Sequence, residues 1–210
     1  MRYFIQLSYH GKKYCGWQRQ ENAVSVQELL EDNLSKLLSK KIEIIGCGRT
    51  DAGVHAKDYY AHFELENPIP ENFLYRINRM LPEDIAVLTI FEVKPNFHAR
   101  FDATKRTYKY FIHYEKNPFL ENQSFLWNQQ PTIAKMNHCI QQLLGEHDFS
   151  TFEKKGSDNK TSICTLENAY FEQTAHGLVF TITANRFLRN MVRRITAALL
   201  MVSLGLLKEE

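Results

Sequence analysis

The order of its periodicities constrains this chain most. Apolar residues alternate over Arg2–Tyr9, recur at helical spacing over Val26–Ser39, and take extended patterns over Ile42–Cys47 and Tyr59–Glu64. A second helical pattern covers Glu71–Met80 and a further strand pattern covers Ile85–Val93. Strand, helix, strand, strand, helix, strand is the ferredoxin-like order. Ser25 followed by Glu28 forms a capping-box signature, and Val26, Leu29, Leu30, Leu34, Leu37 and Leu38 fall on one stripe of the helix it starts. After the Pro95 region the order begins again, with a strand (Arg106–Tyr114), a helix (Ile133–Leu144), strands (Cys164–Gln173 and Leu178–Thr183) and a helix (Phe187–Leu206). A second unit of the same order needs one more strand, which Lys208, Glu209 and Glu210 do not supply. The expected fold is α+β, with two ferredoxin-like halves at 1–95 and 96–210, the second lacking its last strand.

With 44% apolar and 12% aromatic residues among 210, both halves can bury a core. The longest apolar stretch, Ile195–Leu207, is interrupted by Thr196, Ser203 and Gly205. It falls short of the roughly 18 residues that a bilayer span needs, so no membrane segment is expected. The chain opens directly on a strand pattern, so no leader is expected. Cys15, Cys47, Cys139 and Cys164 form no C-x-x-C pair, which argues against a zinc site or a disulfide framework and for a reducing cytoplasm.

A net charge of +2 does not mark a nucleic-acid binder, but the cations cluster. They group as Lys12, Lys13 and Arg19; as Arg100, Lys105, Arg106 and Lys109; as Lys154, Lys155 and Lys160; and as Arg186, Arg189, Arg193 and Arg194. One such group alone is a solvated face. Four groups interleaved with Tyr14, Trp17, Phe101, Tyr108 and Phe187 fit a surface that follows phosphates and stacks bases.

Gly48-Arg49-Thr50-Asp51-Ala52-Gly53-Val54-His55 places one carboxylate between a cation and a glycine directly after an apolar run. On residue types alone Asp51 is either a turn aspartate or a presented catalytic group. The octapeptide resembles the active-site signature of the TruA family of tRNA pseudouridine synthases. Tyr9-His10-Gly11, Gly16 to Gln20, Ser25-Val26-Gln27, Leu81 to Val87, Phe97 to Phe101, Arg106 to Tyr110, Leu144 to Phe149 and Asn185 to Arg193 resemble further blocks of that family, in its order.

The resemblance implies a pseudouridine synthase fold with a central cleft, and isomerisation of uridine to pseudouridine at positions 38–40 of the tRNA anticodon stem-loop. The reaction breaks the glycosidic bond at N1 and re-forms it at C5, and needs no cofactor. By family position Asp51 is the catalytic carboxylate, Arg193 the cation that holds it ionised, and Tyr108 the ring against the target base. Arg49 is linked to extrusion of the base, which costs a few kcal/mol. Phe97, His98, Arg100 and Phe101, and with them Gln18, Arg19, Lys160 and Arg189, are the implied substrate contacts. Arg189 and Arg193, four apart, share a face of the last predicted helix. The implied partners are tRNA and a second copy in a homodimer. Two positions depart from the pattern: His10 stands where the family has Asp, and Lys160 where an arginine is usual, keeping the charge without bidentate geometry.

Two other readings stay open on residues alone. A metal enzyme using Asp51 and His55 would need two further ligands, for which the eight histidines offer no recognisable spacing. A non-catalytic RNA-binding module would use sheet aromatics, but no Gly-aromatic-Gly-aromatic run is visible.

Overall fold

Alternation over Arg2–Tyr9 (β1) puts Tyr3, Ile5, Leu7 and Tyr9 on one buried face, and that face organises the first half of the chain. The computed structural model describes residues 1–156 and 159–208 and divides into two compact units, Met1–Ala103 and Thr104–Glu210. In the first unit β1 is followed by helix α1 (Val26–Leu38), the short strand β2 (Ile45–Gly46), β3 (Ala56–Glu64), helix α2 (Phe73–Met80) and β4 (Ile85–Val93). The strands form one antiparallel sheet in the order β2-β3-β1-β4. The capping box forms as the sequence predicts: the Glu28 N–H donates to Ser25 Oγ at 3.2 Å and the Ser25 N–H to Glu28 Oε2 at 3.4 Å. Val26, Leu30 and Leu34 of α1 and Phe73 and Ile77 of α2 then meet Ile5, Leu7, Ala61 and Phe63 in the core.

Strand β4 bulges at Leu88, since Gln6 pairs with Thr89 but Leu7 with Val87. The Asn78 side chain of α2 satisfies the displaced backbone, donating to Val87 O and accepting from Val87 N, both at 2.8 Å.

Ile42–Cys47 is not the six-residue strand that its apolar pattern predicts. Ile45 and Gly46 pair with β3 and the Cys47 N–H donates to Tyr60 O at 2.8 Å, while for Ile42 and Ile44 side chains of the first helix take the place of a neighbouring strand. The Ile42 N–H donates to Ser35 Oγ (2.9 Å), the Ile44 N–H to Glu31 Oε1 (3.1 Å), and Gln27 Nε2 to Ile44 O (3.0 Å). Ile42 and Ile44 are buried all the same, so the apolar alternation reports burial and not ladder pairing.

The second unit runs β5 (Arg106–His113), β6 (Phe125–Leu126), α3 (Ile133–Gln141), β7 (Gly145–Asp148), β8 (Ile163–Gln173), β9 (Gly177–Ala184) and α4 (Met191–Ser203). Its sheet order is β6-β5-β9-β8-β7. Met136, Ile140, Met191, Ile195 and Leu199 pack on Phe171, Phe180 and Ile182. Asn137 of α3 repeats the bracket made by Asn78, donating to Phe171 O at 2.9 Å and accepting from Phe171 N at 2.7 Å.

Two short strands were not foreseen. β6 pairs in parallel with Ile112 and His113 on the outer edge of β5, the position predicted to be empty, held by a 2.9 Å contact between His113 Nδ1 and Ser124 Oγ. β7 pairs antiparallel with the start of β8. A strand of two to four residues has too few alternations to register as a period. Among the described residues β6 is the sole strand on that side of β5; Glu209 and Glu210, part of the predicted tail, lie outside the described residues.

The last helix begins at Met191, not Phe187. Residues before it are tied elsewhere: the Asn185 N–H donates to Thr165 O, the Thr165 N–H to Asn185 Oδ1, and the Lys154 N–H to Arg189 O. Asn190 takes a left-handed φ of 62° and reverses the chain into the helix.

The Glu31 bracket is testable. Glu31→Ala removes the acceptor of the buried Ile44 N–H and should cost about 2 kcal/mol, whereas Glu31→Gln, which keeps an oxygen there, should cost less than half of that. Urea unfolding at constant m-value measures both, and equal losses would count against the bracket.

Candidate active site

The octapeptide 48–55 forms the connection from β2 to β3, and Asp51 begins a turn closed by the Val54 N–H on Asp51 O at 3.2 Å. The carboxylate is half-buried, while Arg49 and Ala52 beside it are exposed. Three side chains hold the incoming arm. Tyr59 donates its hydroxyl to Gly48 O, Tyr9 shares a 2.9 Å hydrogen bond with Thr50 Oγ1, and Trp17, 2% exposed, stacks 4.3 Å from the Tyr59 ring. The Trp17 N–H also donates to Thr50 O (3.2 Å), and the Gly53 N–H to Tyr14 O (3.2 Å).

The loop between β1 and α1 therefore lies directly under the backbone that presents Asp51. Gly16 is required there: its φ is +88°, and a Cβ would sit 2.0 Å from Thr50 O. Tyr9, Trp17 and Tyr59 carry no motif for this role. Their only sequence signal is burial, through alternation for Tyr9 and Tyr59 and through the Gly16–Gln20 block for Trp17.

Gln18 and Arg19, the weakest predicted contacts, are bound into the first unit. Gln18 Nε2 donates to Gln27 Oε1 (2.9 Å), and the Arg19 guanidinium lies 3.2 Å from Glu31, 3.4 Å from Asp32 and 3.9 Å from Glu28. Hydrogen bonding to Glu31, first among its surroundings, pushes the Arg19 pKa up further. Three carboxylates around one guanidinium make Arg19 a brace on α1.

Residues 97–101 form a turn against the first sheet. His98 Nδ1 accepts the backbone N–H groups of Arg100 (3.1 Å) and Phe101 (3.3 Å), and Arg2 donates to Phe97 O at 2.5 Å. His98 is thus the organiser of the turn. Arg100 and Phe101 project from it, with the guanidinium 5.8 Å over the ring and Phe101 75% exposed. Phe97 is exposed as well.

The second unit gathers a different set. Tyr108 and Tyr110 share a face of β5, as alternation predicts, and Tyr108 meets Phe187 edge-on at 5.0 Å. Burial pushes the Tyr110 phenol up, and the Arg193 charge opposes that shift. Arg193 is exposed on the first turn of α4, but Arg189 precedes the helix, so the two do not form the predicted i, i+4 pair. Two cation groups distant in sequence are instead brought together. Arg186 reaches Asn159 Oδ1 (3.1 Å), Arg194 reaches Glu153 O (2.6 Å), and the Lys154 N–H meets Arg189 O (3.0 Å). Lys154, Lys155 and Lys160 are left exposed on the segment so joined.

The support of the 97–101 turn has a pH signature. His62, 2% exposed, accepts the Ala99 N–H at Nδ1 (3.1 Å), stacks on Phe4 and meets His98 edge-on. Burial first, then Arg2 and His98, lowers its pKa from 6.5 to about 4. The unfolded chain binds this proton before the folded one does, so the contribution is complete above about pH 6.5 and is lost as pH falls towards 4. The loss accumulates at up to about 1.4 kcal/mol per pH unit. Denaturant unfolding between pH 7.5 and 4.5 should show a shallower decline for His62→Gln than for the parent, and superimposable slopes would refute this role.

The family model described as tRNA pseudouridine synthase matches residues 6–102 and 139–210, which include Asp51 and Arg193 but not Tyr108. The chain is 46% identical to the tRNA pseudouridine synthase A of Azobacteroides pseudotrichonymphae over 95% of its own length and 80% of the relative's. It is also 46% identical to the protein of that name from Bacteroides fragilis, over 97% and 82%. With the protein of the same name from Francisella tularensis it shares 39% identity over 97% and 80%. A family match over most of the chain and relatives of this identity show that the chain belongs to the tRNA pseudouridine synthase family.

Proposed function

We propose that this protein isomerises uridine to pseudouridine in the anticodon stem-loop of tRNA, at positions 38–40, with Asp51 as the catalytic carboxylate. The observation that carries the reading is the presentation of Asp51. The carboxylate is half-buried on a turn whose backbone is fixed on the incoming side by Tyr9, Trp17 and Tyr59, so its direction is set before substrate arrives. A turn aspartate with no chemical task needs no such framework.

In this reading each unit is one ferredoxin-like half of the family fold. The antiparallel order β4-β1-β3-β2 of the first sheet and β5-β9-β8 within the second support it. Arg193 keeps Asp51 ionised, since an opposite charge at about 4 Å is worth on the order of 4 kcal/mol at an effective dielectric of 20. Tyr108 lies against the target base. Arg49, exposed next to Asp51, acts in base extrusion, and Phe97, Arg100 and Phe101 stack on and pair with the displaced strand, their turn held by His98. Lys154, Lys155, Lys160, Arg186 and Arg189 follow phosphates. The working form is a homodimer bound to tRNA, and no cofactor takes part.

Asp51→Asn should abolish pseudouridine formation on an unmodified tRNA transcript while leaving tRNA affinity within about twofold, and turnover by this variant would move the chemistry elsewhere. Affinity itself should fall with salt at a log-log slope of about −0.7 to −0.9 per phosphate contact. Joint replacement of Lys154, Lys155 and Lys160 by Ala should flatten that slope by about two to three contacts. An unaltered slope would remove this segment from the RNA surface.

A further inference from the structure

The loop that carries Asp51 ends on His55, a side chain that the chemistry above does not use. Its Nδ1 accepts the Gly11 N–H at 3.0 Å, and its ring lies 4.0 Å from the His10 ring, inclined by 39°. His10 is itself anchored, donating its backbone N–H to Asp84 O at 2.8 Å just before β4. Gly11 lies so close to the outgoing arm of the loop that a Cβ there would be 2.0 Å from Val54 O. The chain leaving β1 and the chain entering β3 are thus in backbone contact, and His55 locks that contact with an imidazole. Tyr9, Trp17 and Tyr59 act on the incoming arm at residues 48–50; His55 acts on the other side of Asp51.

We propose that His55 is a positioning residue for Asp51: by accepting the Gly11 N–H, with His10 stacked against it, it fixes the outgoing arm of the loop and with it the direction of the carboxylate. The inference rests on Asp51 being the catalytic group. An imidazole nitrogen accepts a hydrogen bond only when it carries no proton, so the clamp needs Nδ1 of His55 bare. The surroundings suit this. Burial lowers the His10 pKa first, and His55 and Lys12 lower it further against the opposing pull of Asp84. Asp84 is meanwhile engaged by Lys13 at 3.2 Å and by the Tyr14 hydroxyl. The same surroundings disfavour a charged His10 against the His55 ring. Without His55 the outgoing arm would keep the Gly53 N–H on Tyr14 O but lose its tie to Gly11, and a misplacement of about 1 Å can cost about a hundredfold in rate.

The test compares His55→Ala with His55→Asn, whose amide oxygen can accept the same N–H. His55→Ala should lower kcat for tRNA by about 10- to 100-fold with KM within about twofold, and His55→Asn should recover most of the loss. Hydrogen exchange at the Gly11 amide should quicken in the Ala variant and stay slow in the Asn variant. His10→Ala, which keeps the hydrogen bond but removes the stacked ring, should lose less than His55→Ala. Unchanged kcat in His55→Ala, equal kcat in the Ala and Asn variants, or a Gly11 amide still protected in His55→Ala would each overturn the proposal. If His55→Ala does not fold, His55→Gln, whose amide sits one bond further out, replaces it and should show the same loss. Asp51→Asn assayed in parallel separates the two ideas: turnover by that variant defeats the catalytic reading, while the Gly11 exchange still reports on the clamp.

Discussion

The support of the Asp51 loop depends on the packing of Trp17 against Tyr59 and Tyr9. The indole is almost fully buried, 4.3 Å from one ring and 6.5 Å from the other, and it draws together β1, β3 and the loop that leads into α1. Two consequences follow for the backbone. Gly16 O and Trp17 O accept the N–H groups of Val26 and Gln27, which the start of a helix leaves without intrahelical partners. The N–H of Trp17 meanwhile holds Thr50 O, one residue before Asp51. The same short segment thus starts the helix and supports the turn, so whatever loosens the indole loosens both. Gly46 completes the arrangement, since a Cβ there would stand 2.6 Å from the Trp17 ring.

The sequence was most legible where structure is local and periodic. β1 and α1 follow directly from alternation and from the Ser25–Glu28 pair, because each needs only neighbours within a few residues. Legibility failed where a distant side chain replaces a strand or redirects one. The pattern of Ile42–Cys47 says that Ile42 and Ile44 are buried, which they are, but it cannot say that Glu31, Gln27 and Ser35 take up their hydrogen bonds. At the last helix the apolar period runs back to Phe187, and a reader of periodicity cannot see that Asn185 and Arg189 are claimed by Thr165 and Lys154.

The site divides in the same way. For Asp51 the turn is legible because it is a local event, while the catalytic role rests on the resemblance of the octapeptide and not on the local pattern. Arg19 shows how a cation conceals its partners, although here the signal was available: Glu28, Glu31 and Asp32 fall on adjoining turns of one helix, and Arg19 lies in the loop that leads into it. His98 shows the converse. Its Nδ1 holds two backbone amides and so sets where Arg100 and Phe101 project, a task that the residue type alone does not reveal.

The two units bring different resources to the chemistry proposed for them. Around Asp51 the first unit invests aromatic burial and backbone hydrogen bonds, so the backbone of the loop is ordered as the protein folds. Order obtained in this way lowers a barrier without drawing on the binding energy of the ligand. The second unit keeps most of its cations exposed, on a segment joined to the approach to α4 through Asn159, Glu153 and Arg189. Exposed lysines and arginines gain little from one another, but they retain their hydration and mobility, which suits a phosphate backbone of variable path. Rigid where a bond must break and adaptable where a polyanion must be followed, the chain separates two demands that a single framework would set against each other.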